Sequence, residues 1–402
     1  MIFPIFHIPS KFEAETSVSA STLYMNISVV TKLKQQNNSL GVYIHIPFCD
    51  GKCNYCDFYS FKATENEMKN YIELLNDNIR RWAEKYKDKI VDTIYFGGGT
   101  PSVLGTESLV CVLKTVLSSF KIASDCEITL EANPSSARSV CFSKLKSAGF
   151  NRVSLGMQSS DDTELNILGR RHKRDDVIKT IELIRKNGIE NISLDVMLGI
   201  PNQTTDSLIE TLDFCISQDV PHISTYLLTV EPDTVFGKES YKYNFADDDM
   251  QAEFYQLTSK YLKEKGYLHY EISNFCKNDM YSRHNMRYWQ LKDYLGLGPS
   301  AHSLIDGTRF YYPRSIEDFK NNNILYDGVG GTEEEYIMLT LRTHQGINVK
   351  DYKEHFGKTP DNKFWNKVKI FTKHGYMKND DNSIRLTEKG FLMSNAIIAE
   401  LI

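Results

Sequence analysis

The stretch VYIHIPFCDGKCNYCDF, residues 42–58, decides the fold. Val42–Ile46 alternates β-branched and aromatic residues as a strand does, and a loop carrying Cys49, Cys53 and Cys56 follows it at once. Three thiolates crowded into eight residues suit a compact site for a soft metal. A structural zinc ion wants four protein ligands, and His45 is the nearby candidate for a fourth. A four-iron cube held by three cysteines instead keeps one iron free of protein, the iron-sulfur counterpart of a catalytic metal with an open position. The other five cysteines, at 111, 126, 141, 215 and 276, are scattered and read as reduced thiols rather than a disulfide framework.

Outward from this loop, further strands are predicted at 93–96, 127–131, 152–156, 192–198 and 222–228, with helical patterns at 67–87, 107–120, 138–148, 175–187 and 207–218 between them. That rhythm predicts an α/β fold, an open partial barrel of six βα units. Cys49, Gly97-Gly98-Gly99, Glu131, Gln158 and Asp195 all fall at or near the carboxyl ends of these strands, the face that carries active sites in βα barrels. An amphipathic segment at 248–265 and a strand-like 270–275 follow. After residue 332 the pattern changes to helices near 333–343, 350–356 and 364–373, a short strand at 384–386 and a last helix from 388, as in a small, mostly helical winged-helix-like domain. The expected division is a loosely ordered extension over 1–38, the barrel over 39–230, an extension and linker over 231–332, and the winged-helix-like domain over 333–402.

The 402 residues are 41% hydrophobic and 25% charged, a packed globular composition, and the formal net charge of −5 offers no broad positive field to a nucleic acid. The final 70 residues balance acidic against basic side chains and lack the stripe that DNA contact needs. No run of 18 apolar residues exists to cross a membrane, and the N-terminal stretch lacks the basic leader of a presequence, so a soluble cytoplasmic protein is expected.

The cysteine loop, together with Phe96-Gly-Gly-Gly-Thr-Pro101 after the second strand, resembles the radical S-adenosylmethionine superfamily. That resemblance implies a 4Fe-4S cluster on Cys49, Cys53 and Cys56 whose open iron is chelated by S-adenosylmethionine, with an electron from the cluster splitting the sulfonium. It also implies that Tyr43, Gly98, Gly99, Thr100, Glu131, Gln158, Arg170 and Asp195 contact S-adenosylmethionine, with Tyr55 packed against its adenine. The residue types suit these roles: carboxylates for ribose hydroxyls or the amino group, a guanidinium for the carboxylate, and an amide that both donates and accepts. Plainer roles stay open, with Glu131 and Asp195 paired to Arg152 or Arg170, and Gln158 capping a turn.

Tyr43-Ile-His-Ile-Pro-Phe-Cys49, Ser154-Leu-Gly-Met-Gln158 and Leu194-Asp-Val-Met-Leu-Gly-Ile-Pro201 are similar to the branch that holds oxygen-independent coproporphyrinogen III dehydrogenases and the heme chaperones. The dehydrogenases typically carry another Cys two positions after the third cluster Cys; Phe58 stands there and resembles the chaperone group. So does Arg283-His-Asn-Met-Arg-Tyr-Trp289 with the following Ala301-His302. The resemblance implies heme as a further ligand, with His284 the first candidate for its axial ligand and His302 the second, against the plainer reading of a hydrogen-bonded packing histidine. Cys276 reads as a buried inert thiol. Delivery of heme to respiratory hemoproteins, with a homodimer allowed and no catalytic residue assigned, is the expected function; radical decarboxylation of coproporphyrinogen propionates is the alternative.

Overall fold

A computed structural model describes residues 38–380 and 382–402; the predicted extension over 1–38 lies outside the described residues except for Asn38. The six predicted strands form, as β1 (Ser39–Ile46), β2 (Ile90–Gly98), β3 (Lys121–Ala132), β4 (Arg152–Gln158), β5 (Asn191–Leu198) and β6 (His222–Leu227). They lie side by side in sequence order, every pair parallel. Helices α1 (Glu65–Lys85), α2 (Thr106–Ser119), α3 (Phe142–Ala148), α4 (Arg174–Lys186) and α5 (Thr205–Ser217) make the crossovers. Capping residues set several of their starts: Thr64 and Glu67 form a reciprocal box at α1, and Thr204 with Ser207 does so at α5.

Strand alternation builds two different surfaces. Val42, Ile44, Ile94, Phe96, Ile128, Leu130, Val153, Leu155, Ile192 and Leu194 are buried in the main core under the helices. Their neighbours Tyr43, His45, Tyr95, Glu131, Ser154 and Asp195 take the opposite, concave face, because side chains along a strand repeat every two residues. The concave face is therefore polar and the convex face oily.

Three expectations change in detail. The helix expected over 138–148 begins only at Phe142, as α3, after a separate turn of helix at Pro134–Ala137, and between them the Cys141 amide donates to Thr106 Oγ1 (2.8 Å). The strand-like 270–275 is a bent hairpin, β7 (Leu268–Glu271) and β8 (Asn274–Cys276), with the Glu271 carboxylate accepting from the Ser273 amide at 3.0 Å and from the Asn274 side chain at the bend. The sheet is also wider than six strands. After a short α6 (Arg283–Trp289), β9 (Tyr294–Leu297) pairs parallel with β1, and β10 (His302–Ile305), β11 (Thr308–Tyr311) and β12 (Leu325–Val329) extend that side antiparallel. The order is β12-β11-β10-β9-β1-β2-β3-β4-β5-β6-β8-β7, so β12 and β7 are the outermost strands and the barrel is open.

The C-terminal residues have a second core of Tyr336, Leu341, Ile347, Tyr352, Phe364, Val368, Ile384 and Phe391, among helices and a small antiparallel sheet of three strands. Backbone hydrogen bonds tie it to the hairpin, from Ile272 N to Arg342 O (3.0 Å) and from His344 N to Tyr270 O (2.9 Å). Among the described residues no helix is long and apolar enough to cross a membrane.

Candidate functional site

The cysteine loop is fastened at its base. Cys49 N donates to Phe61 O and Phe61 N to Pro47 O, both at 3.0 Å, while Phe48 packs edge-on against Phe61 and Tyr71. Asn54 fixes its middle, bonding Leu168 O through its amide (3.0 Å) and Ile167 O through its side chain (2.8 Å). Cys49, Cys53 and Cys56 are thus half-buried on a held loop beyond the end of β1. Burial raises the Cys49 thiol and pushes that of Cys56 up to about 11, so both hold their protons until a cation displaces them. Among the described residues no three His, Cys, Asp or Glu side chains gather as one metal ion requires. His45 instead bonds Tyr43 Oη (3.2 Å) and the Tyr59 carbonyl (3.0 Å), which removes it as a fourth zinc ligand.

Beside the loop runs the triglycine end of β2. Gly98 has φ +110° and Gly99 lies so close to the cysteine loop that a Cβ would stand 2.5 Å from Phe48 O, so neither position takes a side chain without a shift. Gly99 N and Thr100 N donate to Ile46 O and Phe48 O, each at 2.8 Å. Thr100 Oγ1 lies 3.0 Å from Cys49 Sγ and accepts from Asn133 at 3.0 Å. Glu131 accepts from Tyr95 Oη (2.7 Å) and from Gly98 N (3.3 Å).

Arg170 binds the remaining edge together. Its guanidinium donates to Asn133 Oδ1 (2.7 Å), to the Gly156 carbonyl, to Tyr55 Oη (3.4 Å) and toward Cys53 Sγ (3.6 Å). Tyr55 packs beside Leu168, Met197 and Phe236. Gln158, at the end of β4, is fully buried at φ +73°, and neither its amide oxygen nor its nitrogen has a hydrogen-bond partner. A Cβ on Gly156 would lie 2.9 Å from Arg170 Nη2 and 3.3 Å from Gln158 Nε2, so the unpartnered amide and the guanidinium face one small space. Asp195 accepts from Ser154 Oγ (3.1 Å), and burial raises its carboxyl. Tyr43 stacks on Tyr95 with ring centroids 6.2 Å apart.

Cys49, Cys53, Tyr55, Gly98, Gly99, Thr100, Glu131, Gln158 and Arg170 therefore meet at one rim, with Tyr43 and Asp195 on the concave face beneath. Tyr95 and Gly98 hold Glu131 and Ser154 holds Asp195, in place of the arginines of the plainer reading. Sequence reasoning missed Asn133, which joins Thr100 to Arg170; it sits directly after β3 in Glu131-Ala-Asn-Pro134, and only its strand-end position hinted at it.

The two histidines proposed for heme sit in different surroundings. His284 is fully buried, with Nδ1 2.9 Å from Thr93 Oγ1 and Nε2 2.8 Å from Tyr288 Oη, so its imidazole is held between two hydroxyls. α6 is wedged under the concave face: the Glu127 carboxylate accepts the amides of Arg283 (3.1 Å) and His284 (3.0 Å), and Arg287 pairs with Asp92. Thr93 and Glu127 are register partners near the middle of β2 and β3, and the His284 ring stacks on Tyr95 with centroids 5.2 Å apart, below the rim. His302 is exposed, stacked on Tyr311 at 4.8 Å, at the start of β10 beside the carboxyl end of β9. Cys276 is buried, as read.

The thiols, the unpartnered buried amide, the guanidinium and the carboxylates make a donor set that fits an iron-sulfur cluster with a charged nucleoside beside it.

Comparison with known proteins agrees. The Radical SAM superfamily family model matches residues 43–215, and the HemN C-terminal domain matches 334–393. The heme chaperone HemW of Bacillus subtilis is 34% identical over 88% of this chain and 97% of its own length. That of Synechocystis is 37% identical over 76% of this chain and 78% of its own. The solved coproporphyrinogen III oxidase HemN of Escherichia coli covers 98% of this chain and 95% of its own with a TM-score of 0.79, at 20% identity, a likeness of fold alone. With a relative above 30% identity matched nearly end to end, this chain belongs to the HemW family of the radical SAM superfamily.

Proposed function

We propose that the chain is a heme chaperone that carries a 4Fe-4S cluster on Cys49, Cys53 and Cys56 and S-adenosylmethionine at the adjoining rim. The observation that carries this reading is the near full-length match to HemW proteins by a chain whose cysteine loop, Gly98–Thr100 and unpartnered Gln158 share one rim. Bound together, the cluster and S-adenosylmethionine supply a one-electron donor and a cleavable sulfonium. Arg170, already aimed at Cys53 and Tyr55, holds the carboxylate of the methionyl part, and Gln158 gives its idle amide to the nucleoside. Glu131, held by Tyr95 and Gly98, and Asp195, held by Ser154, orient amino and hydroxyl groups. Tyr43 and Tyr55 supply ring faces, and Gly98, Gly99 and Thr100 let the ligand approach the backbone.

His284, stacked on Tyr95, is the first candidate for the imidazole that holds heme, and His302, exposed and stacked on Tyr311, is the second. The chain acts in the cytoplasm with respiratory hemoproteins as recipients, and a homodimer is the form compatible with the exposed β12 edge. The division of the chain at about residues 38, 230 and 332 is part of this proposal.

The test is anaerobic: reconstituted protein is titrated with heme and, separately, given S-adenosylmethionine and coproporphyrinogen III. Heme binding without protoporphyrinogen formation is expected. Efficient porphyrinogen conversion would assign the chain to the dehydrogenase reaction instead.

A further inference from the structure

We propose that Arg152, with Thr129 and Ser282, forms a carboxylate-binding pocket on the concave face of the sheet, beneath the cofactor rim. Arg152 is 1% exposed, and its Nε is buried without a hydrogen-bond partner. Among the described residues no ion pair reaches its guanidinium. Arg287, buried to a similar degree, pairs with Asp92, and Arg170 has Asn133 and the Gly156 carbonyl. The acids that share the concave face are engaged elsewhere: Glu127 on the amides opening α6, Glu131 on Tyr95 and Gly98, Asp195 on Ser154.

Two buried hydroxyls on this side of the sheet also lack a partner. Thr129, the register partner of Arg152 across β3 and β4, is fully buried with an unpartnered Oγ1. Ser282 is fully buried with an unpartnered Oγ, and its amide donates to Tyr270 Oη (3.1 Å), which in turn lies 2.8 Å from His222 Nε2. Burial drives His222 and His284 strongly toward the neutral form, reinforced by Arg152 at His222 and by Arg287 and then Arg152 at His284, so neither adds a second cation. A buried guanidinium without a counterion is held at a cost that an arriving anion removes. One positive charge with two hydroxyl donors matches a monoanionic, planar oxyanion, hence a carboxylate rather than a phosphate dianion. Six residues separate Arg152 from Gln158 along β4, about 20 Å at the usual strand rise, so this pocket is not another contact of the rim.

The ligand class rests on the heme-chaperone reading, since the propionates of a tetrapyrrole carry this chemistry. The test uses cluster-loaded protein with S-adenosylmethionine, wild type and the variants Arg152→Gln and Arg152→Lys, titrated with heme, heme dimethyl ester and coproporphyrin III. Wild type should bind heme about tenfold more tightly than its ester, as a charge-assisted pair implies. Arg152→Gln should abolish that preference with ester affinity, iron content and S-adenosylmethionine affinity unchanged, and Arg152→Lys should keep part of it. If Arg152→Gln loses iron, Arg152→Lys decides: a changed heme-to-ester ratio supports the pocket and an unchanged one overturns it. A preference that survives in Arg152→Gln, or an equal loss for heme and ester, overturns the pocket and leaves heme binding standing. Arg152-dependent binding of coproporphyrin III by a wild type that refuses heme supports the pocket and overturns the chaperone reading. Refusal of all three ligands overturns both.

Discussion

Gln158 concentrates the chemistry of the rim in one side chain. A left-handed backbone in a residue other than glycine costs about 1–3 kcal/mol, and each buried amide group left without a partner adds about 1–3 kcal/mol. A bound nucleoside that satisfies the amide recovers the second cost. Gln158→Leu should therefore weaken S-adenosylmethionine binding about tenfold, read by calorimetry, with the iron-sulfur absorbance unchanged; equal affinity in the variant would remove Gln158 from the site. The cysteines make a different prediction. Because burial keeps the apo thiols of Cys49 and Cys56 protonated, loading the cluster must release protons, and the apparent affinity for iron should rise as pH rises from 6 toward 9. Iron titrations at several pH values check this, and a flat profile would mean that the thiols are already ionised. The cysteines, the glycines and the strand-end polar residues were legible because few other structures crowd such residues at strand ends. The sequence shows at His284 an imidazole beside aromatics, but not the Thr93 and Tyr288 hydroxyls that hold its two nitrogens, because Thr93 lies 191 residues away.

Among the elements, β2 and its glycines set the geometry of the cysteine loop. A methyl group at residue 99 would press on the Phe48 carbonyl, which is backbone and cannot swing aside. Gly99→Ala is expected to cost about 1–3 kcal/mol of stability and to lower iron retention, measured by thermal melting and iron analysis; an unchanged melt and full iron would contradict the close packing. The six parallel strands were readable because each buries its convex face in an apolar row, leaving a period of two. β9 to β12 escaped: each has only four or five residues, Gly296 and Gly328 interrupt two of them, and β12 is exposed along its whole length, so no alternation marks them. The interruption between Ala137 and Phe142 escaped for another reason, since the bond from Cys141 N to Thr106 Oγ1 joins residues 35 apart.

At the scale of the whole molecule, the β7–β8 hairpin joins one end of the large sheet to the C-terminal core, and Glu271 lies at its bend. Burial pushes the Glu271 carboxyl up from 4.5 to about 7. Its folded pKa exceeds its unfolded one, so its contribution to stability is fully present below about pH 4.5 and is lost as pH rises through about 7. Denaturant melts of wild type should therefore lose up to about 3 kcal/mol across that window relative to Glu271→Gln, and parallel pH profiles would contradict this. The broad architecture followed from the βα rhythm, while the packing between sheet and C-terminal core depended on pairings such as Ile272 with Arg342 that no local pattern announces. Everything at the rim depends on what the three thiols hold. Iron and acid-labile sulfide should be counted on protein purified without air, beside the triple variant with Cys49, Cys53 and Cys56 changed to Ala. About four of each per chain in wild type, and none in the variant, is expected; zinc in their place, or iron that persists without the cysteines, would contradict the cluster and the function built upon it.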